Sequence, residues 1–397
     1  MVPWGFYQQA RDTKSLSLQI KYEWAGGDKM GVVDVSSVHL RRGRASNTIT
    51  ITLSNADNSW DFLHLAGSDI RQYTGHFYWT IWTSLFVWNE YDWNERTWDN
   101  DVWEPLMIGR LEEYSFDEDA RTVTLKFADR IPSFLDIAIG SSTAPVDYTD
   151  KNYTVPEILL DLLTIYAGLI MGTDIDTWTW DIFAGTLVEK FPVRAFFTGE
   201  SLAEIMESMQ DLMRYDFIFG KDSKLYFVPR LYGYQVRLSG VPSVADFTPD
   251  ESTIVAAPEM EVEISGIINR CEVWYKTAGS MDWNNFYLAE DLTSQGVYGL
   301  KPHIIKHEEI WPVWGALVQW DYVDDWYVDN FKYPREKIKF GVNLHGLLVS
   351  PENALLLYKR IVHRTPPNDV ILCSIEKLIH DFQKGMATIE TTIPTWT

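Results

Sequence analysis

Cysteine is almost absent. The 397-residue chain has two, Cys271 and Cys373, far apart and each inside an alternating apolar run, which argues against a disulfide framework or a thiolate zinc site. Long apolar runs are missing as well. No 18 consecutive apolar residues occur, and the amino terminus MVPWGFYQQARDTKSLSLQIKY lacks the basic start and continuous apolar stretch of a secretory signal. The chain is therefore expected neither to span a membrane nor to be exported by that route, and synthesis in a reducing cytoplasm follows. Basic residues are few, 34 Lys+Arg against 56 Asp+Glu for a net charge of -22. Phosphate-backbone binding needs clustered Lys and Arg, so the balance argues against duplex nucleic acid as a ligand. Enzyme motifs are missing: no G-x-S-x-G, H-E-x-x-H, G-x-x-x-x-G-K-[ST] or paired C-x-x-C occurs. No catalytic, cofactor-binding or metal-binding residue is expected.

Apolar residues are plentiful. At 46% hydrophobic and 23% charged the composition is that of a folded globular protein, and the length suggests about two or three domains. In the first third, apolar residues recur every second position: Leu16, Leu18, Ile20, Tyr22; Ile49, Ile51, Leu53; Val123, Leu125, Phe127. Period two predicts strands with one buried face. The polar stretch Asp117 to Arg121 separates two such runs as a hairpin loop would, and an antiparallel sheet or barrel follows.

Near residue 150 the rhythm changes. Thr154 with Glu157, and Ser201 with Glu204, are capping boxes before apolar residues at three-and-four spacing, so each predicts a helix. The Met residues of the second fill core. Phe217 to Phe219 and Leu225 to Val228 flank GKDSK as a second hairpin. From about residue 258 alternation returns, through Met260, Val262, Ile264; Cys271, Val273, Tyr275; Ile338 to Leu344; Ile371 to Ile375; and Ala387 to Ile393. One helix is predicted to interrupt it near 351–363, with Ser350 as N-cap, Pro351 at the first helical position and Pro366-Pro367 as the stop. The fold class expected is β-rich α+β: a first antiparallel β-barrel domain over 1–147, a helix-helix-hairpin α+β insert over 148–240, and a second related β-barrel domain over 241–397, with exchange of segments between barrels allowed.

Residues 79–104 carry an internal repeat, with Trp88, Trp93, Trp98 and Trp103 five residues apart. Five matches neither the helical nor the strand period, so a turn-containing loop is expected, an insertion on the first barrel. From Trp88 to Glu104 six acidic residues accompany one Arg96, a net of -5. Trp combines large apolar area with a polar N–H, which makes these four residues a candidate protein interface or a sugar-stacking platform; rings folded over the barrel as extra core are the alternative. Arg41, Arg42 and Arg44 form the one compact basic cluster, either pairing with a partner's carboxylates or marking a solvated strand end. His303 and His307 are four apart, but their Ile and Pro neighbours predict an extended segment that separates them by about 13 Å. Asp321, Asp324, Asp325 and Asp329 lie among Trp320, Tyr322, Trp326 and Tyr327. A glycosidase could use such carboxylates and rings, whereas solvated acidic residues are the plainer reading.

The run VVDVSSVHLRRGRASNTITITLSNADNSWD (Val32 to Asp61) resembles the start of tail hub proteins of long-tailed bacteriophages, the baseplate-hub and late-control-D-like group. PLMIGRLEEYSFDEDARTVTLKFADR (Pro105 to Arg130), SLAEIMESMQDLMRYDFIFGKDSKLYFVPR (Ser201 to Arg230), ISGIINRCEVWY (Ile264 to Tyr275) and DLTSQGVYG (Asp291 to Gly299) are similar to later passages of that group in the same order. Gln295 departs from the aliphatic residue usual there, and 300–335 has no counterpart. The resemblance implies a non-enzymatic, virion-located homotrimer at the tail tip, made in the host cytoplasm, in which two barrels per chain build a pseudo-sixfold ring. Its implied partners are a tail tube or distal tail protein, a central spike or fibre protein and a tape measure protein, with DNA passing through the channel without specific binding. A type VI secretion or bacteriocin hub shares that architecture. A carbohydrate-binding or carbohydrate-cleaving β-rich protein is the contrasting reading.

Overall fold

A computed structural model describes residues 16–24, 30–34, 38–43, 47–66, 70, 72–83, 104–129, 137–150, 153–187, 192–213, 215–220, 222–229, 254–276, 282–313, 321–343, 355–359, 370–381 and 386–394. In chain order the amino-terminal strands are β1 (Leu16–Trp24), β2 (Met30–Asp34), β3 (Val38–Gly43), β4 (Thr48–Ser54), β5 (Thr74–Thr83), β6 (Glu104–Asp117) and β7 (Thr122–Ala128), with the short helix α1 (Leu63–Ala66) after β4. The middle holds α2 (Val155–Asp161), continued by a π-helical turn Leu162–Tyr166, then α3 (Thr177–Leu187), β8 (Pro192–Phe197), α4 (Leu202–Met213), β9 (Tyr215–Phe219) and β10 (Leu225–Pro229). The last part contributes β11 (Ile254–Glu263), β12 (Arg270–Lys276), β13 (Trp283–Glu290), α5 (Leu292–Tyr298), β14 (Pro302–Ile305), β15 (Ile310–Pro312) and α6 (Asp321–Phe331). It ends with β16 (Arg335–Val342), β17 (Leu355–Lys359), β18 (Val370–Ser374), β19 (Lys377–Asp381) and β20 (Met386–Pro394).

Eleven strands form one antiparallel sheet in the order β11-β16-β20-β19-β3-β4-β7-β6-β5-β1-β2. Period two does what it predicts in β4 and β7: Ile49, Ile51, Leu53, Val123, Leu125 and Phe127 are buried between half-exposed neighbours. Asp117 closes the β6–β7 turn by accepting from Ala120 N at 2.9 Å, and Arg121 takes a φ of 50° there. At one edge of the sheet, β11 carries Pro258 at an irregularity in its pairing with β16 and three glutamates, Glu259, Glu261 and Glu263. Proline lacks the N–H a central strand needs, and bulges and charges deter further pairing.

Among the described residues the third segment divides between two cores. Pairing of β3 with β19, Arg41 opposite Ile379 and Arg42 opposite Leu378, joins carboxy-terminal strands to the amino-terminal sheet. Ile338, Phe340, Leu378, Ala387 and Ile389 therefore share one core with Ile49, Leu125 and Phe127. The other part, β12, β13, β14 and α6, packs into a second core with the 148–240 insert, where Cys271, Val273 and Val323 meet Phe183, Phe217 and Met209. Each core thus combines residues from before and after position 240, because burying a half-apolar sheet face decides the grouping and chain order does not.

Both capping boxes form. Thr154 and Glu157 bond reciprocally at the start of α2, and Glu204 accepts from Ser201 N at 2.9 Å at the start of α4. Ile205, Met209, Leu212 and Met213 of α4 are buried, so its Met residues do fill core. The expected helix near 351–363 is corrected: Leu355–Lys359 is strand β17, paired antiparallel with β18 from Leu355 opposite Ser374 to Lys359 opposite Val370. Ser-Pro start signals act locally, whereas the run LLLYK suits either element until a partner strand claims its backbone bonds.

Candidate functional site

The surface that carries the candidate site is organised by Asn269, immediately before β12 and fully buried. Its Nδ2 donates to the Gly299 carbonyl at 2.8 Å and to Ser294 Oγ at 3.3 Å, while its Oδ1 accepts from Lys301 N at 2.7 Å. One side chain thus ties β12 to helix α5 and to the approach to β14. Asp291 caps α5, accepting from Ser294 N at 2.8 Å and pairing with Lys332 at 3.4 Å. The Ser294 amide first, and then Lys332, hold its carboxyl below the usual carboxylate range. Gly299 ends the helix at φ 75°, a left-handed turn that favours glycine.

Beyond that anchor the sheet β13-β12-β14 presents two faces. Cys271 and Val273 enter the second core, Tyr275 is buried on the same face, and Arg270, Glu272 and Trp274 lie half-buried on the other side. Leu288 and Ile304 both stand opposite Glu272, so the three residues line up across the outer face. With Leu292, Val297 and Leu300 around α5 they make five aliphatic side chains between 44% and 69% exposed. Exposed apolar side chains that stand together mark interaction surfaces, and Leu288 and Ile304 do so on the strands either side of Glu272. Between Arg270 and Glu308 four Lys and Arg stand against five Asp and Glu, so this face is near-neutral on a strongly acidic chain.

The charged groups here order the surface. Arg270 meets Glu272 Oε1 through Nε at 2.9 Å and through a terminal nitrogen at 2.8 Å, and Trp274 Nε1 donates to Glu272 Oε2 at 3.2 Å. Both carboxylate oxygens are engaged. Lys276 lies buried with its ammonium 4.5 Å from the Trp283 ring centre and 4.0 Å from that of Trp311, and 3.7 Å from Glu308. Burial pushes its pKa down. Burial likewise pushes the Cys271 thiol up, which keeps it protonated and poorly nucleophilic.

The residues singled out from sequence are distributed as follows. Trp88, Trp93, Trp98, Trp103 and Arg44 lie outside the described residues. Arg41 and Arg42 sit within β3, at register positions opposite Ile379 and Leu378. His303 is on β14 with its ring 4.5 Å from that of Tyr327, while His307 lies 3.6 Å from Asp211 and 3.9 Å from Glu309. Helix α6 buries Asp324 and leaves Asp325 and Asp329 exposed, so these carboxylates do not bracket one cleft. Among the described residues no group of three or more His, Cys, Asp or Glu side chains is placed to hold a metal, and no helix is long and apolar enough to cross a membrane. The exposed row was not anticipated. Its signal was present in Leu288-Ala289 and Ile304-Ile305, where adjacent apolar residues must point to opposite faces of a strand.

No family model matches the chain, and no curated protein sequence matches it. The fold is similar to that of prophage tail protein gp18 from Listeria monocytogenes EGD-e, with a TM-score of 0.51 at 10% identity over 94% of each chain. The 43 kDa tail protein of prophage MuSo2 from Shewanella oneidensis superposes with a TM-score of 0.50 at 11% identity, covering 95% of this chain and 98% of that one. The tail protein from Neisseria meningitidis MC58 gives 0.50 at 10% identity over 95% and 96%. Along nearly its whole length, the chain has the fold of these phage tail proteins.

Proposed function

We propose that the chain is a structural, non-enzymatic tail hub protein of a phage or phage-like particle. In this reading it forms a homotrimeric, pseudo-sixfold ring in the virion that joins the tail tube to a central spike or fibre. The observation that carries the proposal is the likeness of fold to phage tail proteins over 94% to 95% of the chain. A tail tube or distal tail protein, a spike or fibre protein and a tape measure protein are its partners. The excess of carboxylates partly lines the channel, where like-charge repulsion keeps passing DNA from sticking; a channel lined chiefly by Lys and Arg would refute that assignment.

The near-neutral face of Leu288, Leu292, Val297, Leu300 and Ile304 is the copy-to-copy contact in this reading, because two chains of net charge -22 associate most readily where charge is balanced. Light scattering of the purified protein tests the proposal: a mass three times the 46.0 kDa chain supports it, and a monomer that binds polysaccharide sinks it. L292D/V297D, at exposed positions, is expected to give monomers with an unchanged melting temperature.

A further inference from the structure

A second exposed apolar face lies on the insert, built from one continuous stretch. Ile165 and Tyr166 end the π-helical turn after α2, Ile170 opens the following loop, and Trp178 and Ile182 stand on α3; all five are between 39% and 69% exposed. Helix α3 is apolar on both sides. Trp180 and Phe183 enter the second core, while Trp178, Ile182 and Gly185, at i, i+4 and i+7, share the solvent side. On the exposed side Trp178 and Ile182 stand with Asp181 and Thr177, so large apolar side chains meet solvent beside polar ones, the make-up of an interaction surface. Gly185 points the same way. A Cβ there would meet nothing within 4 Å among the described residues, and a glycine, which weakens a helix, suits close approach by another backbone.

The surroundings of this face are acidic. Residues 161–187 contain Asp161, Asp174, Asp176 and Asp181 and no Lys or Arg. Asp174 accepts from Ile170 N at 3.0 Å and Asp176 from Thr179 N at 2.8 Å, which places both carboxylates beside Ile170 and the start of α3. Asp181 is exposed between Trp178 and Ile182. The adjoining hairpin adds Asp222 and Lys224, whose charges offset each other. The contrast is with the face around α5, where opposite charges nearly balance.

We propose that this face seats a cationic amphipathic helix from a different protein, its apolar side on Trp178, Ile182 and Ile170 and its Lys or Arg residues against Asp174, Asp176 and Asp181. A second copy of the chain would bring aspartates to aspartates. The assignment rests on the tail-component reading only for the partner's being another tail protein.

The test uses the full chain and a labelled synthetic peptide of about 18 residues, five helical turns, patterned from Leu and Lys; a Leu/Glu peptide of the same pattern is the control. By fluorescence anisotropy the Leu/Lys peptide is expected to bind and the Leu/Glu peptide to fail. W178S/I182S should weaken binding by about tenfold or more with unchanged circular dichroism and melting temperature, D181K should weaken it severalfold, and L292S/V297S should leave it unaltered. Should W178S/I182S lose the fold, I170S and D181K carry the same comparison. Undiminished binding by these variants overturns the proposal, since bulk charge then holds the peptide. Absence of binding to the wild type overturns it too, as does a trimer that W178S/I182S converts to monomers. A monomeric wild type that still binds the peptide through Trp178 and Ile182 sinks the hub ring and leaves this surface standing.

Discussion

Replacing Asn269 with alanine removes three hydrogen bonds from a residue with no solvent exposure. The two short ones, to the Gly299 carbonyl at 2.8 Å and from Lys301 N at 2.7 Å, contribute about 1 kcal/mol each in net terms. Their partners are backbone groups that stay in place, and a buried group left without a partner costs about 1–3 kcal/mol. Ser294 Oγ loses less, because it also donates to the Lys332 carbonyl. Since the same bonds cannot be counted both as lost and as orphaned, the expected loss is about 3 kcal/mol. Urea unfolding followed by tryptophan fluorescence reads the total. Hydrogen exchange at the Lys301 amide reads the site, where about a hundredfold loss of protection corresponds to the same free energy. Asn269→Asp keeps the acceptor for Lys301 but turns a carboxylate on the Gly299 carbonyl, and should cost at least as much near neutral pH. A loss below about 1 kcal/mol with Lys301 still protected would refute the view that this side chain holds α5 to the sheet.

Further perturbations probe other links. Asn47 Nδ2 donates to the Phe219 carbonyl at 2.7 Å, bridging the first core to the hairpin of the second, so Asn47→Ala should cost about 1–3 kcal/mol and separate two unfolding transitions in calorimetry. Gly109→Ala places a Cβ 2.8 Å from the Ala128 carbonyl and 2.6 Å from Met107 Cε, so a loss of about 1–3 kcal/mol is expected, read as a lower urea midpoint. Burial lowers the His303 pKa, and His307 adds to the effect while Asp211 opposes it. The unfolded chain then binds more protons below about pH 6.5, so stability is lost as the pH is lowered, by up to about 1.4 kcal/mol per unit, until the folded pKa is reached. His303→Phe should flatten that slope; an unchanged slope between pH 5 and 6.5 would assign it to other groups.

Local chemistry was legible wherever a few neighbouring residues decide the outcome. Thr154 with Glu157 and Ser201 with Glu204 start helices because the caps satisfy amides within one turn. Strands β4 and β7 were readable because one face is buried and the other is wet. The same reasoning failed at Leu355–Lys359, where helix signals upstream were outweighed by pairing with Val370–Ser374. It also left open which member of Leu288-Ala289 and of Ile304-Ile305 stays exposed, although adjacent apolar residues on a strand must face opposite ways. Likewise Trp178 and Trp180 are chemically equal in sequence, and only the placement of α3 against Phe217 and Phe227 sends one ring inward.

By itself the sequence determined a folded, β-rich chain with a helix-and-hairpin insert, strongly acidic, poor in cysteine and without a G-x-S-x-G, H-E-x-x-H or P-loop motif, because composition and short-range periodicity depend on neighbours alone. The tertiary structure decided which strands share a sheet, how the third segment divides between two cores, and which apolar residues remain in water. Those outcomes rest on pairings such as Arg41 with Ile379, between residues more than three hundred positions apart in the chain. Their backbone groups and apolar faces are satisfied only when the whole chain has folded, and no local pattern encodes the choice.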